Sequence, residues 1–190
     1  MATIEETENY NYMHTSAGKN DECWTERYGV EPLLPYIERL SRLRNITIWC
    51  PFDTEESEFV KVFREKGYNV VCSHIWNGQD FYKYEPEKWD IMISNPPFTN
   101  KKGIFERALS FGKPFALLMT LAWLNDSAPA KLFKDKELQL LIFQRRMQFK
   151  SRQQKSKITF SSAYYCYNFL PQQIIISDFD IPGQRKRKEK

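Results

Sequence analysis

The most distinctive short motif of the chain is Asn95-Pro96-Pro97-Phe98. It directly follows residues 89–94, WDIMIS, an apolar run typical of a buried strand. Each proline fixes its backbone and lacks an N–H donor, so the motif presents carbonyl oxygens as acceptors. The amide oxygen of Asn95 and the carbonyl oxygen of Pro96 suit a substrate that offers an NH₂ group. Phe98 adds an apolar face on which a planar ring can stack.

An amino group conjugated to a ring is a poor nucleophile, because its lone pair is delocalised. Hydrogen bonds from both N–H groups to Asn95 Oδ1 and the Pro96 carbonyl would favour a pyramidal nitrogen and release the lone pair for attack. The alternative interpretation is structural, since Asn-Pro commonly marks a turn at the end of a strand. The position of the motif after a buried strand favours the functional interpretation.

The elements that must position this motif alternate along the chain. Apolar runs predict strands over residues 45–50, 68–75, 89–94, 114–120, 138–143, 162–169 and 172–179. Amphipathic spacing predicts helices around residues 36–40 and over 55–66, 101–111 and 128–136. This alternation predicts an α/β fold, a doubly wound, mostly parallel sheet with helices on both faces. We expect the last two strands, joined near Pro171, to form an antiparallel hairpin at the sheet edge.

Length and composition indicate one folded domain. The chain has 190 residues, of which 15% are aromatic and 27% are charged. We expect a core domain over residues 21–180, a flexible N-terminal arm over 1–20 and a basic tail over 181–190. No apolar leader or run of about 18 apolar residues is present, and the cysteines are scattered, so the predicted location is the cytoplasm, without a membrane.

Several classes of site are disfavoured. The 7 glycines form neither GxGxxG nor GxxxxGK[ST], which excludes phosphate loops of those types. The 2 histidines lie far apart and the 4 cysteines show no CxxC pairing, so no metal site is predicted. In parallel sheets ligands bind beyond the carboxyl ends of strands. Three predicted strand ends carry unusual residues there, at positions 50–53, 73–76 and 94–98.

A basic run over residues 144–157 holds 6 basic side chains and no acidic one. Such a run, with Phe149 inside it and Phe160 just beyond, suits a track for a polyanion with aromatic stacking partners. A solvated loop is the alternative, and the sequence leaves the two open. The basic side chains that we assign to nucleic-acid binding in this run are Arg145, Arg146, Lys150 and Arg152. For the basic tail, we favour the interpretation that it is a solvated terminus and not a binding segment.

With NPPF after a buried strand, the chain resembles S-adenosylmethionine-dependent amino-methyltransferases, especially those acting on adenine N6 in DNA. The resemblance covers most of residues 20–170 and is strongest to small phage-type enzymes, in the gamma order of motifs. It implies a Rossmann-like methyltransferase fold, S-adenosylmethionine as cofactor and DNA as partner. It also implies that the target base leaves the helix and that its amine attacks the sulfonium methyl group directly.

Further residues match motifs of this family. Trp24-Thr25 is similar to the N-terminal cofactor motif, in which the threonine contacts the methionine part. Asp80-Phe81 resembles the acid–aromatic pair that holds the cofactor adenine. Phe160 resembles the aromatic residue of a later motif, which packs on the extruded base.

Two motifs depart from the family pattern. The turn Cys50-Pro51-Phe52-Asp53 stands where the family has a glycine-rich loop, and no glycine occurs between Gly29 and Gly67. We expect Asp53 to pair with the cofactor ammonium, and helix capping is its alternative role. His74-Ile75 occupies the position of an acid followed by an apolar residue. His74 is equally consistent with a hydrogen-bonded core histidine.

Other functions remain open at this level. Motifs of the NPP-aromatic type also serve enzymes that methylate RNA adenines or protein glutamine amides. A catalytically silent nucleic-acid-binding homologue is a further alternative. The basic run favours nucleic acid over protein, but it does not separate DNA from RNA. Because the methyltransferase core uses most of the chain, target recognition would need loops, a partner protein or a homodimer.

Overall fold

The computed structural model describes residues 23–42, 44–151 and 158–177. Its strands are β1 (Cys23–Thr25), β2 (Thr47–Cys50), β3 (Asn69–Cys72), β4 (Ile91–Ser94), β5 (Phe115–Thr120), β6 (Gln139–Phe143), β7 (Met147–Ser151), β8 (Ile158–Phe160), β9 (Ser162–Tyr167) and β10 (Ile174–Ser177). Its α-helices are α1 (Arg27–Val30), α2 (Leu34–Ser41), α3 (Glu58–Glu65), α4 (Lys101–Ser110) and α5 (Ser127–Leu132). Short 3₁₀ helices span Glu31–Leu33, Ile75–Asn77 and Leu121–Asn125. No helix in these ranges has the length and apolar character that a membrane crossing requires.

The described residues form a seven-stranded sheet with the order β10-β6-β9-β5-β4-β2-β3. All of its strands run parallel except β9, which confirms the mainly parallel α/β fold. From β2 the chain goes to β3 on one side and then returns to β4 on the other side. This reversal creates a switch point at the carboxyl ends of β2 and β4, the place where open α/β sheets bind ligands.

The predicted antiparallel hairpin at the sheet edge is wrong. Strand β9 lies between β5 and β6 and is antiparallel to both, whereas β10 pairs with β6 in parallel at the edge. The burial of the two strands explains the arrangement. Residues 162–166 are all buried, as a strand with a neighbour on each side requires, while Ile174 and Ile176 are exposed. Pairing partners cannot be read from an apolar run alone.

A second, antiparallel sheet joins the N-terminal strand to the basic run, in the order β1-β7-β8. Strand β7 falls within the basic run, over which the sequence pattern predicts no strand. Met147 and Phe149 are both buried, so this basic segment also has the two-residue alternation of a strand. The Tyr28 hydroxyl accepts from the N–H of Gln148 at 2.8 Å and donates to its carbonyl at 2.9 Å, which fixes α1 to β7.

The large sheet separates two apolar cores. On one face, Ile48 and Cys50 of β2 pack with α1, α2 and α3. On the other face, Trp49 packs with α4 and with the rings of Phe81 and Trp89, whose centroids lie 5.7 and 5.1 Å away. Alternation along β2 therefore buries both faces and leaves the strand end to carry polar residues.

Candidate functional site

Asp53 joins the carboxyl ends of β2 and β4. Its Oδ2 accepts a hydrogen bond from the hydroxyl of Ser94, the last residue of β4. Its Oδ1 accepts from the hydroxyl of Ser57, whose oxygen in turn caps α3 by accepting from the N–H of Phe59. Asp53 is only 8% exposed, and this burial raises the pKa of its carboxyl from 3.8 to about 6, against the two serine hydrogen bonds. One carboxyl thus ties together β2, α3 and β4.

The NPPF segment (residues 95–98) begins immediately after Ser94, at the switch point. The side-chain oxygen of Asn95 is buried, and Pro96 is buried as a whole. Pro97 and Phe98 are half-buried, and Phe98 packs against the core on the α4 side of the sheet. The hydrogen bond from Ser94 to Asp53 therefore places the start of this segment next to Asp53.

Asn100 fixes the other end of the NPPF segment. Its Oδ1 caps α4 by accepting from the N–H of Gly103 at 3.3 Å, and its Nδ2 donates to the Tyr82 hydroxyl at 2.9 Å. Gly103 leaves the room that this requires, because a Cβ there would lie 2.7 Å from Asn100 Nδ2. Burial raises the pKa of Tyr82 to about 12, so its hydroxyl stays protonated at neutral pH. The segment is thus anchored by Ser94 before it and by Asn100 after it.

The chain after β3 turns through His74 and Trp76. His74 Nδ1 accepts from the N–H of Trp76 at 3.2 Å, and the two rings meet edge to face at 4.3 Å. Burial lowers the pKa of His74, so the ring is neutral at neutral pH. With Nδ1 as an acceptor, its proton lies on Nε2, which can donate. Ile75 is half-buried, and Trp76 is 53% exposed.

Asp80 and Phe81 have structural partners of their own. Asp80 Oδ1 accepts from the N–H of Tyr82 at 3.0 Å, so the carboxylate closes a turn. Phe81 is 3% exposed and packs on Phe52 at a centroid distance of 4.7 Å. It belongs to the core, the commoner role of such a residue. Phe52, which is half-buried, is the aromatic side chain at the end of β2.

The thiols near the strand ends are not nucleophiles at neutral pH. Cys50 and Cys72 are partners in the β2–β3 register. Burial raises the pKa of the fully buried Cys50 thiol well above its usual range. Burial and a hydrogen bond to Glu55 Oε1, at 3.2 Å, raise the pKa of Cys72 to about 11. Pro51, next to Cys50, is also buried.

Trp24 and Thr25 are neighbours in β1, so their side chains point to opposite faces of the strand. Trp24 is 51% exposed, whereas Thr25 is buried and its Oγ1 has no hydrogen-bond partner among the described residues. Thr25 lies in the small sheet rather than at a carboxyl end of the large one. Helix α1 connects the two sheets, since the Tyr164 hydroxyl of β9 donates to the carbonyl of Gly29 at 2.8 Å and Tyr28 of the same helix is bonded to β7.

The predicted nucleic-acid residues are only partly described. Arg145 and Arg146 form the turn between β6 and β7, with Arg146 exposed and Arg145 half-buried. The backbones of Lys150 and Phe160 lie in β7 and β8, but their side chains fall outside the description, as does Arg152 altogether. Phe149 is fully buried, so it belongs to the core and is not an aromatic stacking surface.

Sequence reasoning missed the residues that hold the site together. Ser57 and Asn100 carry the usual signal of a capping residue before a helix. Tyr82 carries no signal of its own. The partnership of Ser94 with Asp53 spans 41 positions of sequence and depends on the adjacency of β2 and β4.

The chain is an α/β protein whose sheet topology reverses at the carboxyl ends of β2 and β4, where Asp53 and the NPPF segment begin the candidate site. No protein-family model matches the chain, and no curated protein sequence matches it. Among solved structures, the chain is similar to a Listeria monocytogenes protein provisionally described as a class I S-adenosylmethionine-dependent methyltransferase. That likeness has 11% identity and a TM-score of 0.42, covering 82% of this chain and 65% of that chain's length. A predicted O-methyltransferase from Agrobacterium tumefaciens is similar at 10% identity and a TM-score of 0.38, covering 84% of this chain and 80% of that chain. Because both TM-scores are below 0.5, any assignment of function depends on the site residues.

Proposed function

We propose that the chain is an S-adenosylmethionine-dependent methyltransferase that modifies the N6 amino group of adenine in DNA. The observation that carries the proposal is the position of the NPPF segment. It follows β4 at the switch point, beside the buried Asp53, and both of its ends are anchored by side-chain hydrogen bonds.

The substrate amine would meet two fixed acceptors. Asn95 Oδ1 would accept from one N–H group, and the carbonyl oxygen of Pro96 would accept from the other. This pairing favours a pyramidal nitrogen, whose lone pair is then available to form a bond to the methyl carbon. The bond between that carbon and the sulfonium sulfur would break, S-adenosylhomocysteine would leave with the electron pair on sulfur, and the amine would lose a proton to solvent. Phe98 would hold the base ring by stacking. The un-ionised thiols of Cys50 and Cys72 agree with a route that forms no covalent enzyme intermediate.

The residues at the ends of β2 and β3 fit S-adenosylmethionine. When bound, that cofactor supplies an electrophilic methyl group on a sulfonium centre. Thr25 lies apart from these ends, in the small sheet, but its buried Oγ1 has no partner among the described residues and suits a hydrogen bond to a ligand that reaches β1. His74 Nε2 would donate to a ribose hydroxyl, and the second carboxylate oxygen of Asp80 would accept from the adenine amino group. Phe52 and Ile75 would supply apolar contacts to the adenine ring.

A basic surface lies at the same edge of the sheet. Strand β6 runs in the same direction as β2 and β4, so its carboxyl end lies at their edge. Arg145 and Arg146 follow that end by two and three residues. Guanidinium groups there would bind the phosphates that flank an extruded base, which favours nucleic acid over a protein substrate.

Calorimetry and methyl-transfer kinetics test the proposal together. The purified chain should bind S-adenosylmethionine and S-adenosylhomocysteine, and it should transfer labelled methyl groups to DNA. Asn95→Ala should lower kcat about 100-fold or more, the loss typical of a fixed polar group that acts in the transition state. Asn45→Ala, which changes an exposed asparagine before β2, is the matched control and should leave kcat intact. Absence of heat with both cofactor forms would contradict the proposal, and methylation of RNA instead of DNA would replace its substrate.

A further inference from the structure

We infer that Asp53 is a positioning residue, which holds the Asn95 carboxamide in place through Ser94 and does not itself bind the cofactor ammonium. The inference rests on the proposed function and changes the role that the sequence suggests for this carboxylate. It assigns to Ser94 a part in methyl transfer that its residue type alone does not indicate.

The geometry leaves little access to Asp53. Both of its carboxylate oxygens already accept hydrogen bonds, one from Ser57 and one from Ser94. The side chain is only 8% exposed, so burial shields the remaining lone pairs of these oxygens from the ammonium group of a ligand. The carboxylate therefore has the arrangement of a structural junction.

Three ionisable groups lie close to the junction, and the exposed ion pair of Glu55 and Arg64 interacts with two of them, the Cys50 and Cys72 thiols. The Cys50 thiol of β2, the Cys72 thiol of β3 and the Tyr164 hydroxyl of β9 are close enough to interact with the Asp53 charge. Burial raises the pKa of each of these groups, so all three are neutral at neutral pH. The hydroxyls of Ser57 and Ser94 complete the set. Ionisation of Asp53 is thus the change that alters the strength of its bonds to the serines.

The hydrogen bond between Asp53 and Ser94 can influence the position of the Asn95 carboxamide. Ser94 is fully buried and is covalently followed by Asn95, so a shift of Ser94 moves the carboxamide. A hydroxyl donates more strongly to an ionised carboxylate than to a neutral carboxyl. When Asp53 takes up a proton, the oxygen that carries it becomes a donor and a poorer acceptor, so the hydrogen bond from the serine at that oxygen weakens or reverses. Burial raises the pKa of Asp53 to about 6, so this change falls in a range that activity assays reach.

Two serine variants separate positioning from general stability. Ser94→Ala and Ser57→Ala each remove one hydroxyl that donates to Asp53, but only Ser94 precedes Asn95. Ser94→Ala should lower kcat about tenfold, the worth of one charge-assisted hydrogen bond, with the cofactor Kd unchanged. Ser57→Ala should lower the melting temperature through the lost cap of α3 and lower kcat by less than Ser94→Ala does, because Ser94 and its bond to Asp53 remain. If Ser94→Ala does not fold, Ser94→Cys, a weak donor, replaces it. An unchanged kcat in the Ser94 variant would overturn the inference.

An NMR titration tests the coupling without cofactor or substrate. In the wild-type chain, the Asn95 side-chain NH₂ signal, assigned by its loss in Asn95→Ala, should shift with a midpoint near pH 6. In Asp53→Asn the shift should vanish, while calorimetry should give the wild-type cofactor Kd. A signal that does not titrate, or an Asp53→Asn variant whose main defect is a weaker cofactor Kd, would overturn the inference. A titrating signal in a chain that binds no cofactor would refute the proposed function and leave the positioning role standing.

Discussion

Ionised Asp53 should destabilise the fold, and Asp53→Asn should relieve that cost. Burial raises the pKa of the carboxyl from 3.8 to about 6 in the folded chain. The folded state therefore binds more protons than the unfolded state between these values, and the stability of the wild-type protein falls as the pH rises through them. Two pKa units correspond to about 3 kcal/mol at neutral pH. An asparagine keeps the size of the side chain, accepts from one serine and donates to the other.

Urea unfolding from pH 4 to pH 7 measures this cost. The free energy of unfolding of Asp53→Asn, minus that of the wild type, should increase by about 2 kcal/mol across the interval, because part of the transition lies below pH 4. Glu38→Gln removes a negative charge from an exposed position of α2 and is the matched control for net charge. Wild-type and Asp53→Asn curves that run parallel over the whole interval would refute the reasoning.

Two further predictions concern the basic surface and the anchor of the NPPF segment. Arg145→Gln/Arg146→Gln should weaken DNA binding and reduce the slope of log K against log salt concentration by about 2, as expected for two lost phosphate contacts. Lys134→Gln/Lys136→Gln, at the amino end of β6, is the control; equal losses in both double variants would contradict a basic surface at the site edge. Gly103→Ala should lower the free energy of unfolding by roughly 1–3 kcal/mol and reduce kcat, since its Cβ displaces Asn100 from the Tyr82 hydroxyl. Lys102→Ala changes an exposed position of the same helix, and a Gly103 variant that matches it in both kcat and stability would show that Asn100 does not anchor the segment.

Local apolar patterns predict most strands of the large sheet, but they do not predict which strands pair with each other. The apolar run over residues 89–94 and the prolines after it place the NPPF segment at a strand end, where the structure has it. The sequence pattern does not predict strand β7, because basic residues dominate the composition of this segment. Met147 and Phe149 nevertheless alternate as the buried positions of a strand. The central place of β9 depends on which strands become neighbours, and no local pattern specifies that.

The sequence indicates which strand ends carry the candidate site residues, but it does not indicate the hydrogen bonds that these residues make. Asp53 and Asn95 follow adjacent parallel strands, so their proximity can be expected from the sequence. Ser57 and Ser94, which donate to Asp53, and Tyr82, which accepts from Asn100, are common polar residues. Their roles depend on the meeting of elements that are distant in sequence. Phe81 shows the opposite error, because an aromatic residue next to an acid resembles a binding pair whether or not it is buried in the core.

Identification of the methylated nucleoside tests the central claim most directly. Unmethylated DNA and RNA are incubated with the chain and labelled S-adenosylmethionine, digested to nucleosides and separated by chromatography with mass detection. The account predicts N6-methyldeoxyadenosine from the DNA with the wild-type chain and its loss with Asn95→Ala. Label on any atom other than an exocyclic amine, or equal labelling by the wild type and Asn95→Ala, would contradict it.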